Sequence, residues 1–96
     1  MAYVVSVTWT AAEGEQDAVA AALERLREPT LAEEGVEMWI PHRDPKDPKV
    51  FYIYEQYSDE GAYTAHTETE HFQRDGVGDA IPRLADRRRE FYETMG

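Results

Sequence analysis

Three side chains in one short stretch could exchange protons with a bound molecule: Glu55, His66 and His71. They belong to the run Tyr54 to Phe72, YEQYSDEGAYTAHTETEHF, which passes from an aromatic strand into a short helix. An imidazole titrates near neutral pH, and a carboxylate that orients it makes it an effective general base. In the expected strand phase Glu55 shares a face with Phe51, Ile53 and Tyr57, toward the helical layer. A lone charge there costs a few kcal/mol, so Glu55 must be protonated, hydrogen-bonded or ion-paired. His66 is the nearest partner in sequence, because the helix that follows folds back over the strand. A purely structural reading stands beside this one, in which Glu55 accepts backbone or tyrosine hydrogen bonds and fixes the turn. His71 either lines a pocket mouth or begins the next turn, and its place before Phe72 suits the turn.

Other chemistries find little support. His66 and His71 are five residues apart, off the three-or-four spacing that sets two ligands on one helix face, and His42 lies on a different strand end, so no metal site is expected. There is no cysteine, which removes disulfides and thiolate nucleophiles. No serine sits in a nucleophile elbow, and neither a glycine-rich phosphate loop nor a dinucleotide fingerprint occurs, so no cofactor is expected. The formal charge of -10 disfavours phosphate backbones and anionic lipid surfaces as partners. With no apolar run long enough to span a bilayer, the expectation is a soluble, cytoplasmic protein. Arg87, Arg88 and Arg89 form a positive spot on this acidic chain, expected to pair with the acidic helices or with a partner subunit.

These residues must be positioned by a small fold, since 96 residues make one domain with one modest core. Tyr3 to Thr10 alternates as a half-buried strand, with Val5, Val7 and Trp9 on one face. Glu13 to Glu28 carries Ala18, Val19, Ala22, Leu23 and Leu26 at helical spacing, with Pro29 as its stop and Thr30 and Glu33 at capping-box spacing for one further turn, closed by Gly35. Val36 to Arg43 predicts a second strand in which Pro41 marks an edge or a bulge. Two prolines and two aspartates between Asp44 and Pro48 make a hairpin turn into a third strand, Val50 to Tyr57. That strand has aromatics on both faces, which predicts helices on one side and a partner subunit on the other. Asp59 caps a helix to about Thr67 or Thr69. Asp79 is placed to cap a short helix over Ile81 and Leu84, and Arg87 to Met95 reads as the last strand. The order fits an α+β, ferredoxin-like split βαβ plan with an antiparallel sheet and helices on one face.

Tyr54, Glu55, Gln56 and Tyr57, followed by Asp59, Ala62, His66, Thr69, His71 and Phe72, resemble the strand-to-helix signature of the antibiotic biosynthesis monooxygenase domain, including its quinol monooxygenase members. Glu33, Gly35 and Trp39, then Asp44, Pro48 and Phe51, match the acidic residue, glycine, aromatic strand and turn of that family. The resemblance implies a single domain over residues 1–96 that forms a homodimer, the dimeric α+β barrel. It also implies cofactor-independent oxidation of a phenolic, polycyclic aromatic or quinol molecule by dioxygen. His66 would be the base, supported by Glu55, with Trp39, Tyr57 and Phe72 as pocket walls and His71 at the pocket edge. The alternatives are an isomerase of a small keto compound and a non-catalytic ligand-binding protein.

Overall fold

The computed structural model describes all 96 residues. Four strands form one antiparallel sheet in the order β2-β3-β1-β4: β1 is Tyr3–Ala11, β2 Val36–Arg43, β3 Val50–Tyr57 and β4 Leu84–Glu93. Three helices lie between them, α1 at Gln16–Leu31, α2 at Glu60–Thr67 and α3, a wide π-helical segment, at Phe72–Ala80, followed by a 3-10 turn at Ile81–Arg83. This is the ferredoxin-like α+β fold. No helix is long and apolar enough to cross a membrane.

The two-residue period decides which residues meet across the sheet. Val5 pairs with Glu55, Val7 with Ile53 and Trp9 with Phe51, so that one sheet face turns these side chains toward the helices. There they bury Val19, Ala22, Leu23 and Leu26 of α1. Tyr52 and Tyr54 face the other way and are half-buried with no helix over them. Pro41 sits on an edge strand, where its missing N–H takes no bond from the ladder.

Several local expectations gave way to tertiary packing. The first helix begins at Gln16 rather than Glu13, because Gly14 takes a left-handed turn at φ 81°. It runs through Pro29 to Leu31, since a proline in the last turn removes one bond and the helix closes on Ala32 N–H to Glu28 O at 3.1 Å. Asp79 caps nothing: it lies inside α3, where its carboxylate binds Arg25 and Arg83. Buried Asp75 accepts from Arg25 at 3.3 Å and Arg74 at 3.0 Å, tying α3 to α1. The last strand starts at Leu84, not Arg87, because Leu84 already pairs with Ala11 around a bulge.

Two glycines set the spacing around the helices. A Cβ on Gly35 would collide with Ala62 Cβ and lie 3.3 Å from Ser58 Oγ, so glycine lets the α1-β2 connection press against α2. A Cβ on Gly76 would lie 2.9 Å from the Phe72 ring, which occupies that space instead.

Candidate active site

Asp59 fixes the entry to α2 by accepting a hydrogen bond from Ala62 N–H at 2.8 Å. The capped helix turns His66 inward, where it is 2% exposed. Its ring lies 4.9 Å from the Phe72 ring and 5.7 Å from that of Tyr57. The close approach at Gly35 brings the preceding loop beneath α2, and Glu33 reaches up from that loop. One oxygen, Glu33 Oε2, lies 2.8 Å from His66 Nδ1 and 2.7 Å from His71 Nε2. A carboxylate only accepts, so His66 donates from Nδ1 and presents a lone pair on Nε2. No protein group bonds His66 Nε2, and this atom keeps contact with the adjoining pocket.

The carboxylate that orients His66 is therefore Glu33, not Glu55. Glu33 had capping-box spacing with Thr30, yet its side chain leaves the helix end and serves two imidazoles. His71, read as the start of a turn, joins His66 on that oxygen, because the break between α2 and α3 lets a five-residue spacing converge where a continuous helix would not. Glu33, His66 and His71 place one donor atom each within 4.8 Å of one another, a donor set of the kind that holds divalent transition ions. This cluster was not expected from the spacing. Its two contacts at 2.7 and 2.8 Å are hydrogen-bond lengths.

Glu55 has another partner. Tyr57 donates its hydroxyl to Glu55 Oε1 at 2.5 Å, two residues along the same strand face. This matches the structural alternative of a tyrosine-bonded acid. Burial pushes the Glu55 carboxyl up to about 7, against the Tyr57 hydrogen bond, the positive charge of Arg89 and the nearby Trp39 indole. The Trp39 N–H is itself buried without a partner of good hydrogen-bond geometry, so its pull on Glu55 is one of proximity. Burial also raises Tyr57, reinforced by the adjacent Glu55. It lowers His66 below the ordinary 6.5, although Glu33 opposes the shift. His66 is thus a neutral base at pH 7, while Glu55 is poised between its two forms.

A pocket of about 470 Å³ lies between the sheet and the pair α2 and α3. Val7, Trp9, Phe72 and Ile81 are among its apolar lining, with His66 and Glu55 among its polar lining. Phe72 thus lines this pocket. Trp39 and Tyr57, 5% and 0% exposed, do not line it, and neither does His71. Trp9, Arg87 and Arg89 line the pocket without having been singled out for it. Strand alternation could have found them, since Trp9 pairs with Arg87 and Val7 with Arg89 on the inward face.

Comparison with known proteins shows the family and the fold. The family model described as antibiotic biosynthesis monooxygenase matches residues 2–74, which include β1, Glu33, Glu55, both histidines and Phe72. The crystal structure of PA3566 from Pseudomonas aeruginosa is similar with 30% identity and a TM-score of 0.90, covering 99% of this chain and 95% of that one. A candidate antibiotic biosynthesis monooxygenase from Nitrosomonas europaea shares the fold at 23% identity and a TM-score of 0.92, over 98% of this chain and 90% of that one. A conserved protein of unknown function from Bacteroides thetaiotaomicron is 26% identical with a TM-score of 0.86, over 97% of each chain. No curated protein matches the sequence.

Proposed function

Since the chain belongs to the antibiotic biosynthesis monooxygenase family, we propose that it is a cofactor-independent monooxygenase oxidising a phenolic, polycyclic aromatic or quinol substrate with dioxygen. One observation carries the reading: a neutral imidazole held at Nδ1 by Glu33 opens its other nitrogen into an aromatic-walled pocket. His66 Nε2 takes the proton of a substrate hydroxyl or of an activated ring CH2, and the resulting anion delivers electrons to dioxygen. For an anthrone-type CH2, one oxygen atom ends as the new carbonyl. The other leaves as water with the two hydrogens that the carbon loses, so the four electrons balance. Glu55, near pKa 7, relays a proton to the departing oxygen. Trp9 and Phe72 hold the flat ring, and His71 steadies Glu33.

An oxygen electrode tests the reading with a panel of anthrones and hydroquinones. Enzyme-dependent uptake of one dioxygen per anthrone converted to quinone is expected; a rate equal to autoxidation for every member would sink it. Both Glu55 and His66 face the pocket, which also suits enolisation of a small ketone. Product formation without oxygen uptake would select that isomerase reading, and tight binding without turnover would select a binding protein.

The functional unit we propose is a homodimer. Met38, Ile40 and Tyr92 are 45%, 45% and 55% exposed on the sheet face that carries Tyr52 and Tyr54, and no element of the chain covers them. A second copy laid on this face buries them, as partner interfaces with aromatic cores do. Sedimentation equilibrium at micromolar concentration should give twice the 11.0 kDa chain mass, and a monomer would overturn the assignment.

A further inference from the structure

The pocket contains an electrostatic feature that proton abstraction does not use. In an alternating strand, the inward positions of β4 opposite Val7 and Trp9 should be apolar, yet they are Arg89 and Arg87. Both guanidinium-bearing side chains line the pocket that holds His66. Of the ten lysines and arginines of this acidic chain, Arg25, Arg27, Arg74, Arg83 and Lys49 pair with carboxylates; among the five that do not, only Arg87 and Arg89 line this pocket. Arg87 forms no ion pair and has no hydrogen-bond partner, although acids outnumber bases by 20 to 10. Arg89 reaches only a neutral acceptor, donating to the Tyr63 hydroxyl at 2.8 Å, with its guanidinium 5.7 Å from the Phe91 ring centroid. Of the two partners expected for this arginine run, the acidic helices or a second subunit, the acidic helices of the same chain pair with neither residue.

Two guanidinium groups without a carboxylate ion pair, on one wall of an aromatic pocket, offer their donors to an anion. Their planar donor forks match a carboxylate. The opposing charges at the pocket are Glu68, at the end of α2, and Glu55, which burial holds partly neutral. We propose that the substrate carries a carboxylate on its aromatic frame, bound by Arg87 and Arg89 on the sheet wall, while its reacting hydroxyl or CH2 meets His66 on the helix wall. This deepens the oxidative reading and rests on the same pocket.

Equilibrium binding separates this inference from the reaction itself. Quenching of Trp9 fluorescence would be followed with 1-hydroxy-2-naphthoate and with 1-naphthol, under anaerobic conditions. The naphthoate should bind at least about tenfold more tightly, with a preference that shrinks as salt rises. The preference should disappear in Arg87→Gln/Arg89→Gln and persist in Arg87→Lys/Arg89→Lys; β4 is exposed, so these variants keep the core that circular dichroism monitors. Equal affinities, a preference unchanged in the glutamine variant, or no binding of the naphthoate at millimolar concentration would each overturn the proposal. A preference present without any oxygen uptake would uphold the anion site and reject the oxygenase.

Discussion

Replacing His66 with alanine is expected to lower kcat/KM for an oxidisable phenol or anthrone by about 100- to 10,000-fold, the usual contribution of a positioned general base. The loss should fall mainly on kcat, because the imidazole acts on the proton in flight, while the pocket that binds the ring is otherwise retained. His66→Gln keeps more of the volume and should be equally slow, which separates chemistry from packing. Glu33→Gln makes a sharper test. A glutamine amide can donate to Nδ1, drive the proton to Nε2 and so remove the lone pair that faces the pocket. Its rate should fall while the protein stays folded and naphthoate binding is kept. The kcat/KM profile should decline in acid along a limb below 6.5, because burial lowers His66 and the base is lost only when it protonates. A wild-type rate in either His66 variant would remove the imidazole from the mechanism.

How this site was encoded explains why only part of it could be read in advance. The bounds of β2 and β3 follow from side-chain alternation and from the proline-aspartate turn between them, both local properties. His66 was legible for the same reason: the Asp59 cap sets the helix phase, and the phase turns His66 inward. Glu33 was misread because its local signal, three residues after Thr30, is that of a capping box. The contact that overrides it joins residues 33 apart and depends on the close approach at Gly35. His71 needed the same tertiary information, since its convergence with His66 requires the break between two helices. Arg87 and Arg89 were hidden by composition: on an acidic chain a run of three arginines suggests ion pairs with the acidic helices or a partner subunit, and only the register with Val7 and Trp9 shows which two point inward.

Glu55 should make stability fall as pH rises, and Glu55→Gln should abolish that dependence. In the unfolded chain this carboxyl titrates near its ordinary 4.5, whereas in the fold burial carries it up to about 7. Between these values the native state binds more protons than the unfolded state, so unfolding becomes easier with each step in pH. The stabilisation is complete below about 4.5 and is lost as pH passes about 7. A shift of this size corresponds to about 3 kcal/mol over the window, a large part of the stability of a domain this small. Glutamine keeps an oxygen that can accept from Tyr57 and carries no charge to bury. Urea denaturation at pH 8 should therefore find Glu55→Gln more stable than wild type by about 1 to 3 kcal/mol, with the two nearly equal at pH 5. Tyr57→Phe should act in the opposite direction at pH 8, because it leaves an ionised buried carboxylate without its donor. The same Glu55→Gln protein should lose the limb near pH 7 from its kcat/KM profile, if Glu55 delivers the proton to the departing oxygen. A stabilised variant with an unchanged pH-rate profile would make Glu55 a structural acid and leave His66 to work alone.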